Sequence, residues 1–405
     1  MIRKYIVLGL LLTFAFNGFA KSNVIDTAKK LSSESYISRY GNLDNFRYKL
    51  ATEKNITVAF FGGSITNMTG WRGKVEQYLI QTYPGIHFTM MNAGIPSLGS
   101  LPHAFRMKRD VLEKGRIDLL FLEAAVNDRG NEKSDTVQRR AMEGIVRHTL
   151  KADPLTDIIV MAFADELKNA DYHAGKIPSE AKVHQDIAQY YHLPYINLAK
   201  EINDRIDHNE FTWKDDFKSL HPSPFGQQLY FNTIEQLFVG ELKKAIPARL
   251  VKHSISKPIN ILNYEHGEYL DIASAAMLRG FKYVKTWHPA DSVHTRAGFT
   301  DVPVLEAAQP NATFELSFTG TVIGAGFIAG PDAGIISYTV DNKPYPDMDI
   351  YKPASKGLHL PSYAVLADDL SAGKHVLKVK VISAHNPLSK GTACRIVYFL
   401  ENNGK

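Results

Sequence analysis

The chain has 405 residues, 44% of them hydrophobic and 22% charged, with a formal net charge of +5 and a single cysteine. This is the composition of an ordinary globular protein and argues against disorder, while so small and dispersed a charge does not suit a nucleic-acid partner. One cysteine excludes an internal disulfide, and no cysteine cluster or H-E-x-x-H motif supports a catalytic metal, so no cofactor or metal is expected.

Residues 1–20, "MIRKYIVLGLLLTFAFNGFA", have a basic start at Arg3 and Lys4, an apolar run and a small-residue exit at Ala20. The pattern predicts a secretory signal peptide cleaved near Ala20, and hence a secreted or periplasmic protein. The run is short for a membrane span, and no later segment reaches span length without charge. The remaining chain is long enough for two domains, each with its own core.

Five short runs rich in β-branched or aromatic residues follow: "NITVAFFG" (55–62), "IHFTMMNA" (86–93), "IDLLFLEAA" (117–125), "DIIVMAFA" (157–164) and "LPYINLA" (193–199). Each is apolar on both faces, as strands of a doubly covered parallel sheet must be. Amphipathic stretches fill the gaps, one of them with Ser134 or Asp135 as its N-cap, and a last helix runs from about Pro224 to Ala245. The alternation predicts an α/β domain over 21–250, a five-stranded parallel sheet between two helical layers. From about Lys252 the texture changes to alternating apolar and polar residues between Gly, Pro, Asn and Asp, which predicts an all-β, jelly-roll-like sandwich over 255–405. Cys394, in "TACRIVYFL", reads as a small core residue.

In an open parallel sheet ligands bind beyond the carboxyl ends of the strands, so the residues there are the candidate site. They are Gly62-Gly63-Ser64, then "NAGIPSLGS" from Asn92, Asn127-Asp128, Asp165-Glu166 and, after the fifth strand and a loop, His221. A serine with a late histidine suggests nucleophilic catalysis, the histidine taking the hydroxyl proton while nearby donors hold an oxyanion. Taken alone, "GGS" reads as a turn serine at a helix start; the set of strand ends gives it chemical meaning. The absence of a G-x-S-x-G elbow around Ser64 argues against the α/β-hydrolase fold.

"FFGGSIT", "NAGIPSLGS", "LEAAVND" and "LHPSPFGQ" stand in the same order as the four blocks of the SGNH hydrolases, or GDSL esterases, and residues 50–245 resemble that family. The resemblance implies a three-layer, flavodoxin-like SGNH domain with Ser64 as nucleophile, His221 as general base and the Asn127 side chain as an oxyanion donor. A backbone N–H from the second block completes the hole, and alignment on Asn92 assigns it to Ser97, where the family usually has glycine. Gly63 replaces the commoner aspartate. The family's acid lies three residues before the histidine, a position held here by Lys218. Asp215, Asp216 or a backbone carbonyl then takes the acid's place, with Asp216 ranked first, or catalysis is weak or absent.

Other residues carry two readings each. Trp71 and Arg72 line a substrate pocket or pack the helix start; Asp165 and Glu166 touch substrate or supply the missing acid, or else sit in a solvated loop or cap a helix. His103 and His173 sit in loop or helix-start positions and are candidate substrate contacts, and His184 is structural. "GAGFIAG" (324–330) lacks a following helix and is not a dinucleotide loop. Trp287 and His288 form a sugar platform or belong to the core. The reading as a whole is an exported serine esterase removing small acyl groups, acetyl foremost, from a carbohydrate. The alternative is a non-catalytic carbohydrate-binding protein on a degenerate SGNH scaffold.

Overall fold

The computed structural model describes residues 30–404; the expected signal peptide, 1–20, lies outside the described residues. Six strands build the first sheet: β1 (Ile37–Arg39), β2 (Asn55–Gly62), β3 (His87–Gly94), β4 (Leu119–Glu123), β5 (Asp157–Met161) and β6 (Pro194–Ile196), in the order β1-β6-β5-β4-β2-β3. The five expected strands pair in parallel, and β1 adds a three-residue antiparallel edge too short to leave a periodic signature. Every residue of β4 and β5 is buried, which is why those segments read as continuous apolar runs.

The helices are α1 (Asp44–Thr52), α2 (Ser64–Asn67), α3 (Gly70–Thr82), α4 (Ser100–Asp110), α5 (Ala125–Gly130), α6 (Asp135–Ala152), α7 (Glu166–His173), α8 (Ser179–Tyr190), α9 (Leu198–Asp207) and α10 (Pro224–Leu242). Ser134 caps α6 by accepting from Val137 N, and Ser223 caps α10 with Pro224 in its first turn. On one face of the sheet an aromatic core joins Phe60, Trp71, Phe121, Phe163, Tyr230 and Phe238. Trp71 meets Phe60, Phe121 and Phe163 edge-on at centroid distances of 5.5, 5.6 and 5.6 Å. The chain leaves β2 to one side for β3 and then crosses to the other for β4, so a topological switch point lies at the carboxyl end of β2.

The rest is a sandwich of antiparallel sheets. Its strands are β7 (Gly267–Leu270), β8 (Ala275–Arg279), β9 (Lys282–Trp287), β10 (Val302–Ala307), β11 (Thr313–Thr319), β12 (Ile323–Ala329), β13 (Ile335–Val340), β14 (Lys343–Pro344), β15 (Met348–Asp349), β16 (Leu360–Ala367), β17 (Lys374–Val381) and β18 (Cys394–Asn402). One sheet runs β16-β12-β18-β10-β9 with β7 beside β18, the other β14-β13-β17-β11-β8 with β15 beside β13. Alternate residues of β11 and β17 point inward to a core of Phe314, Leu316, Leu377 and Phe399, and Cys394 is buried there.

The two folds share a second core. Buried Phe61, Leu101 and Phe105 from the α/β layer join Tyr264, Trp287, Phe299, Val397 and Leu400 in one apolar cluster. Around it Lys108 pairs with Glu268 at 2.5 Å, Arg140 with Asp368 at 2.7 Å and Arg147 with Glu265 at 2.7 Å. The Arg109 guanidinium sits 4.7 Å from the rings of both Tyr269 and Tyr398, which stack on each other at 4.2 Å. From Ser32 onward the chain is a single compact unit, so the sandwich is fixed against the α/β layer.

Candidate active site

β2 ends at Gly62, and α2 begins at Ser64 with Gly63 in extended conformation between them, which lifts the serine above the sheet edge. Ser64 Oγ lies 2.7 Å from His221 Nε2, a normal hydrogen bond across 157 residues of sequence. His221 follows a π-helical turn, Trp213–Phe217, and precedes the Pro-led start of α10. Ser219 Oγ braces the His221 backbone, donating to its carbonyl at 3.1 Å and accepting from its N–H at 3.2 Å.

Asn127 comes from α5, after β4, and its amide nitrogen crowds Gly63: a Cβ at position 63 would stand 1.9 Å from it. The absence of a side chain at residue 63 therefore lets the Asn127 amide lie against the nucleophile's turn. Ser97 adopts φ 71°, the left-handed conformation that glycine takes most easily, so a serine can keep this loop's backbone where the family's glycine stands. Its carbonyl accepts from Asn131 Nδ2 at 3.0 Å. Below, Asp128 accepts from Ser100 N at 2.7 Å and Ser100 Oγ at 2.9 Å, tying the loop that bears Ser97 to the helix that bears Asn127. Burial pushes the Asp128 carboxyl up to about 7, against the two Ser100 donors, and burial likewise pushes Glu123 up to about 7.

The acid does not follow the sequence expectation. Asp216 Oδ2 accepts from Thr212 N at 2.8 Å and Thr212 Oγ1 at 3.2 Å, closing its own turn, and no hydrogen bond links it to His221. Its main-chain carbonyl is taken by Ser223 Oγ at 2.5 Å. Asp215 also faces Thr212, at 3.5 Å. A short acidic side chain beside an unpaired turn N–H is satisfied locally before it can reach across to the imidazole. Lys218 ends the turn in the left-handed region, with φ 81°. The His221 pKa is lowered, first by burial and then by a positive charge, that of Arg296 from the sandwich.

The other candidates resolve as follows. Trp71 is fully buried, with its backbone N–H donating to Gln227 Oε1 at 2.9 Å, and Arg72 pairs with Glu76, so both serve the start of α3. Asp165 caps α7 through Lys168 N at 2.8 Å, and Glu166 accepts from Trp213 Nε1 at 3.1 Å. His103 is not a substrate contact: it is fully buried in α4 against the Phe61 ring at 4.5 Å, and burial lowers its pKa. His173 is exposed and 3.1 Å from Asp207. His184 is structural, its Nε2 accepting from Ala124 N at 3.2 Å while Nδ1–H serves the Glu180 carbonyl at 2.8 Å. Trp287 is 2% exposed and belongs to the core, while His288 pairs with Asp301 at 2.9 Å on the surface. No His, Cys, Asp and Glu cluster among the described residues has metal-binding form. Sequence reasoning missed the brace at Asp128, whose place beside Asn127 after a buried strand was its only signal.

A groove of about 660 Å³ is lined by Met68, Thr69, Ile80, Pro222 and Pro224 among others, Pro222 being the residue after His221. On the sandwich side a cavity of about 270 Å³ lies between Ile95, Pro96 and Leu98 and the segment Ala297–Phe299.

Residues 60–229 match the model of the GDSL-like lipase/acylhydrolase family. The matched residues lie within the α/β domain, and the sandwich stands outside the match. Among solved structures, a two-domain esterase active on acetylated mannans is similar at TM-score 0.76 and 18% identity, over 92% of this chain and 99% of that one. The same kind of esterase co-crystallized with mannopentaose is similar at TM-score 0.74 and 18% identity, over 92% and 98%. These likenesses span both domains and show that the chain shares their two-domain fold. No curated protein matches the chain.

Proposed function

We propose that this protein is an exported serine esterase that removes acetyl groups from a polysaccharide through an acyl-enzyme. The observation that carries the reading is the 2.7 Å contact between Ser64 Oγ and His221 Nε2 beside the Asn127 amide, at the switch point of the sheet. Ser64 Oγ attacks the acetyl carbonyl carbon as His221 Nε2 takes the hydroxyl proton, and Asn127 Nδ2–H and Ser97 N–H hold the oxyanion. Collapse breaks the bond to the sugar oxygen, which leaves with the proton from His221. Water, deprotonated by the same imidazole, then attacks the acetyl-enzyme, releasing acetate and restoring Ser64. No cofactor enters this sequence.

The substrate class rests on the leader-like residues 1–20, on the sandwich fixed to the catalytic layer, and on the activity of the structurally similar esterase toward acetylated mannans. One observation favours the second reading, a carbohydrate-binding protein without turnover: among the described residues no carboxylate orients His221. Acetate release from acetylated mannan and other acetylated polysaccharides by the purified protein, against Ser64→Ala, decides between them. Glycan binding with no acetate released, or equal release by Ser64→Ala, overturns the esterase.

A further inference from the structure

We propose that the cavity between the end of α5 and the sandwich segment 352–363 is a subsite for the carboxylate of an acidic sugar, held by the ammonium groups of Lys133 and Lys352, so that the polysaccharide presented to Ser64 carries uronic acid units. That the acidic sugar belongs to a substrate rests on the esterase reading; its binding needs no turnover.

The cavity has a volume of about 210 Å³, with residues 130–133 in one wall and residues 352–354 and 360–363 in the other. α5 ties it to the candidate active site. Gly130, the last residue of that helix, is three after Asn127, about 5 Å along the axis. Asn131, in the cavity wall, donates from Nδ2 to the Ser97 carbonyl at 3.0 Å. The wall is thus bonded directly to the loop that offers the second oxyanion donor.

Two lysines enter the lining from opposite folds. Lys133 Nζ donates to the Tyr363 carbonyl at 2.8 Å, its backbone N–H donates to the Asp128 carbonyl at 3.1 Å, and its carbonyl accepts from Gln138 Nε2 at 2.7 Å, so the ammonium is held in place. An ammonium has three donors and no acceptor, which leaves two N–H groups of Lys133 for a ligand. Lys352 comes from the sandwich, where its backbone N–H donates to the Oγ of buried Ser355 at 3.1 Å. Both lysines are half-buried, and among the described residues neither forms an ion pair, unlike Lys108 with Glu268 or Lys168 with Asp165. Glu132 also lines the cavity, but it is exposed and pairs with neither lysine, so the lining carries a net positive charge.

Burial and then the Lys352 charge lower the Lys133 pKa to about 8, against Asp128 and Glu132. Like charges in one cavity oppose each other, and an anion bound between them offsets that opposition. Sugar hydroxyls donate as well as accept, and water serves them equally. A carboxylate only accepts, and so matches charged heads that only donate. At about 210 Å³ the cavity is smaller than the roughly 300–1,000 Å³ of pockets for drug-sized ligands, which limits the occupant to one sugar unit or part of one.

The test is titration calorimetry at low salt on full-length Ser64→Ala protein, comparing an acetylated oligosaccharide that contains one glucuronic acid unit with its counterpart bearing glucose there. The acidic ligand is expected to bind about tenfold more tightly, with the advantage shrinking at high salt. Lys352→Gln should cut the advantage to about threefold or less, Lys352→Arg should keep most of it, and Lys133→Gln with Lys352→Gln should abolish it. Because Lys133 also holds Tyr363, Lys352→Gln, confirmed as folded by its thermal melt, is the deciding variant. Equal affinity for the two oligosaccharides, or an advantage unchanged in folded Lys352→Gln, overturns the subsite. Binding of inorganic phosphate or free glucuronate, with the two oligosaccharides not distinguished, marks a site for small anions and overturns its assignment to the glycan. Failure of the wild type to release acetate from an aryl acetate removes the esterase reading and leaves these affinities to decide the subsite.

Discussion

Gly63 and Asn127 are fitted to each other: a Cβ on residue 63 would come within 1.9 Å of the Asn127 amide nitrogen. The aspartate common at this position in SGNH enzymes cannot be accommodated without displacing that amide. Gly63→Ala is therefore expected to lower kcat by about 10²-fold, the scale of losing one oxyanion donor, with little change in KM. Steady-state kinetics on an aryl acetate check this, and adding Asn127→Ala should cost little more, because both changes remove the same donor.

Ser64→Ala and His221→Ala are each expected to reduce kcat by about 10⁴-fold or more, and the double variant by no further factor, since the pair acts as a unit. Asp216→Asn is expected to leave kcat within about threefold of wild type while costing roughly 1 kcal/mol of stability, because its carboxylate serves Thr212. A large kcat loss for Asp216→Asn without loss of stability would restore it as the acid.

The pH profile follows from His221. Its pKa is lowered from 6.5 by burial and by Arg296, and only the neutral ring accepts a proton. Activity should therefore be full near neutrality and fall, as pH drops, only at a midpoint below 6.5. A kcat/KM limb centred above that value would contradict the geometry.

Asp128 links pH to stability with the opposite sign from an ion-paired carboxylate. Its folded pKa of about 7 lies above the ordinary 3.8, so the folded state holds the proton more tightly. Its contribution is complete below the unfolded pKa and is lost as pH rises through the folded one. Asp128→Asn, which keeps an acceptor for Ser100, should raise Tm relative to wild type more at pH 7.5 than at pH 4, as scanning calorimetry can measure.

Arg109 between Tyr269 and Tyr398 tests whether the two folds unfold together. Arg109→Ala is expected to cost about 1–2 kcal/mol and to lower a single cooperative calorimetric transition. Two separate transitions in the wild type would show that the shared core does not couple them.

The five parallel strands and the polar residues at their ends were legible in the sequence because strand burial is a local pattern: an all-apolar run such as Phe60-Phe61 or Leu119–Leu122 must lie between two layers wherever the chain goes. The order of Ser64, Ser97, Asn127 and His221 along the chain was legible for the same reason, each following its own strand or loop. β1 escaped because three residues carry no period, and His103 read as a candidate substrate contact because nothing local reports that α4 is roofed by a second domain.

What the amino-acid order determined by itself, then, was a hydroxyl at the tip of a buried strand and an imidazole to receive its proton. Where the neighbouring carboxylates go, and what covers the helices, was decided only in three dimensions. Asp216, nearby in sequence, is captured by Thr212 through a local hydrogen bond, whereas the burial of His103 depends on the packing of one whole fold against another. Short-range hydrogen bonds are made at the nearest donor, and electrostatic neighbours are set by packing, which no window of sequence contains.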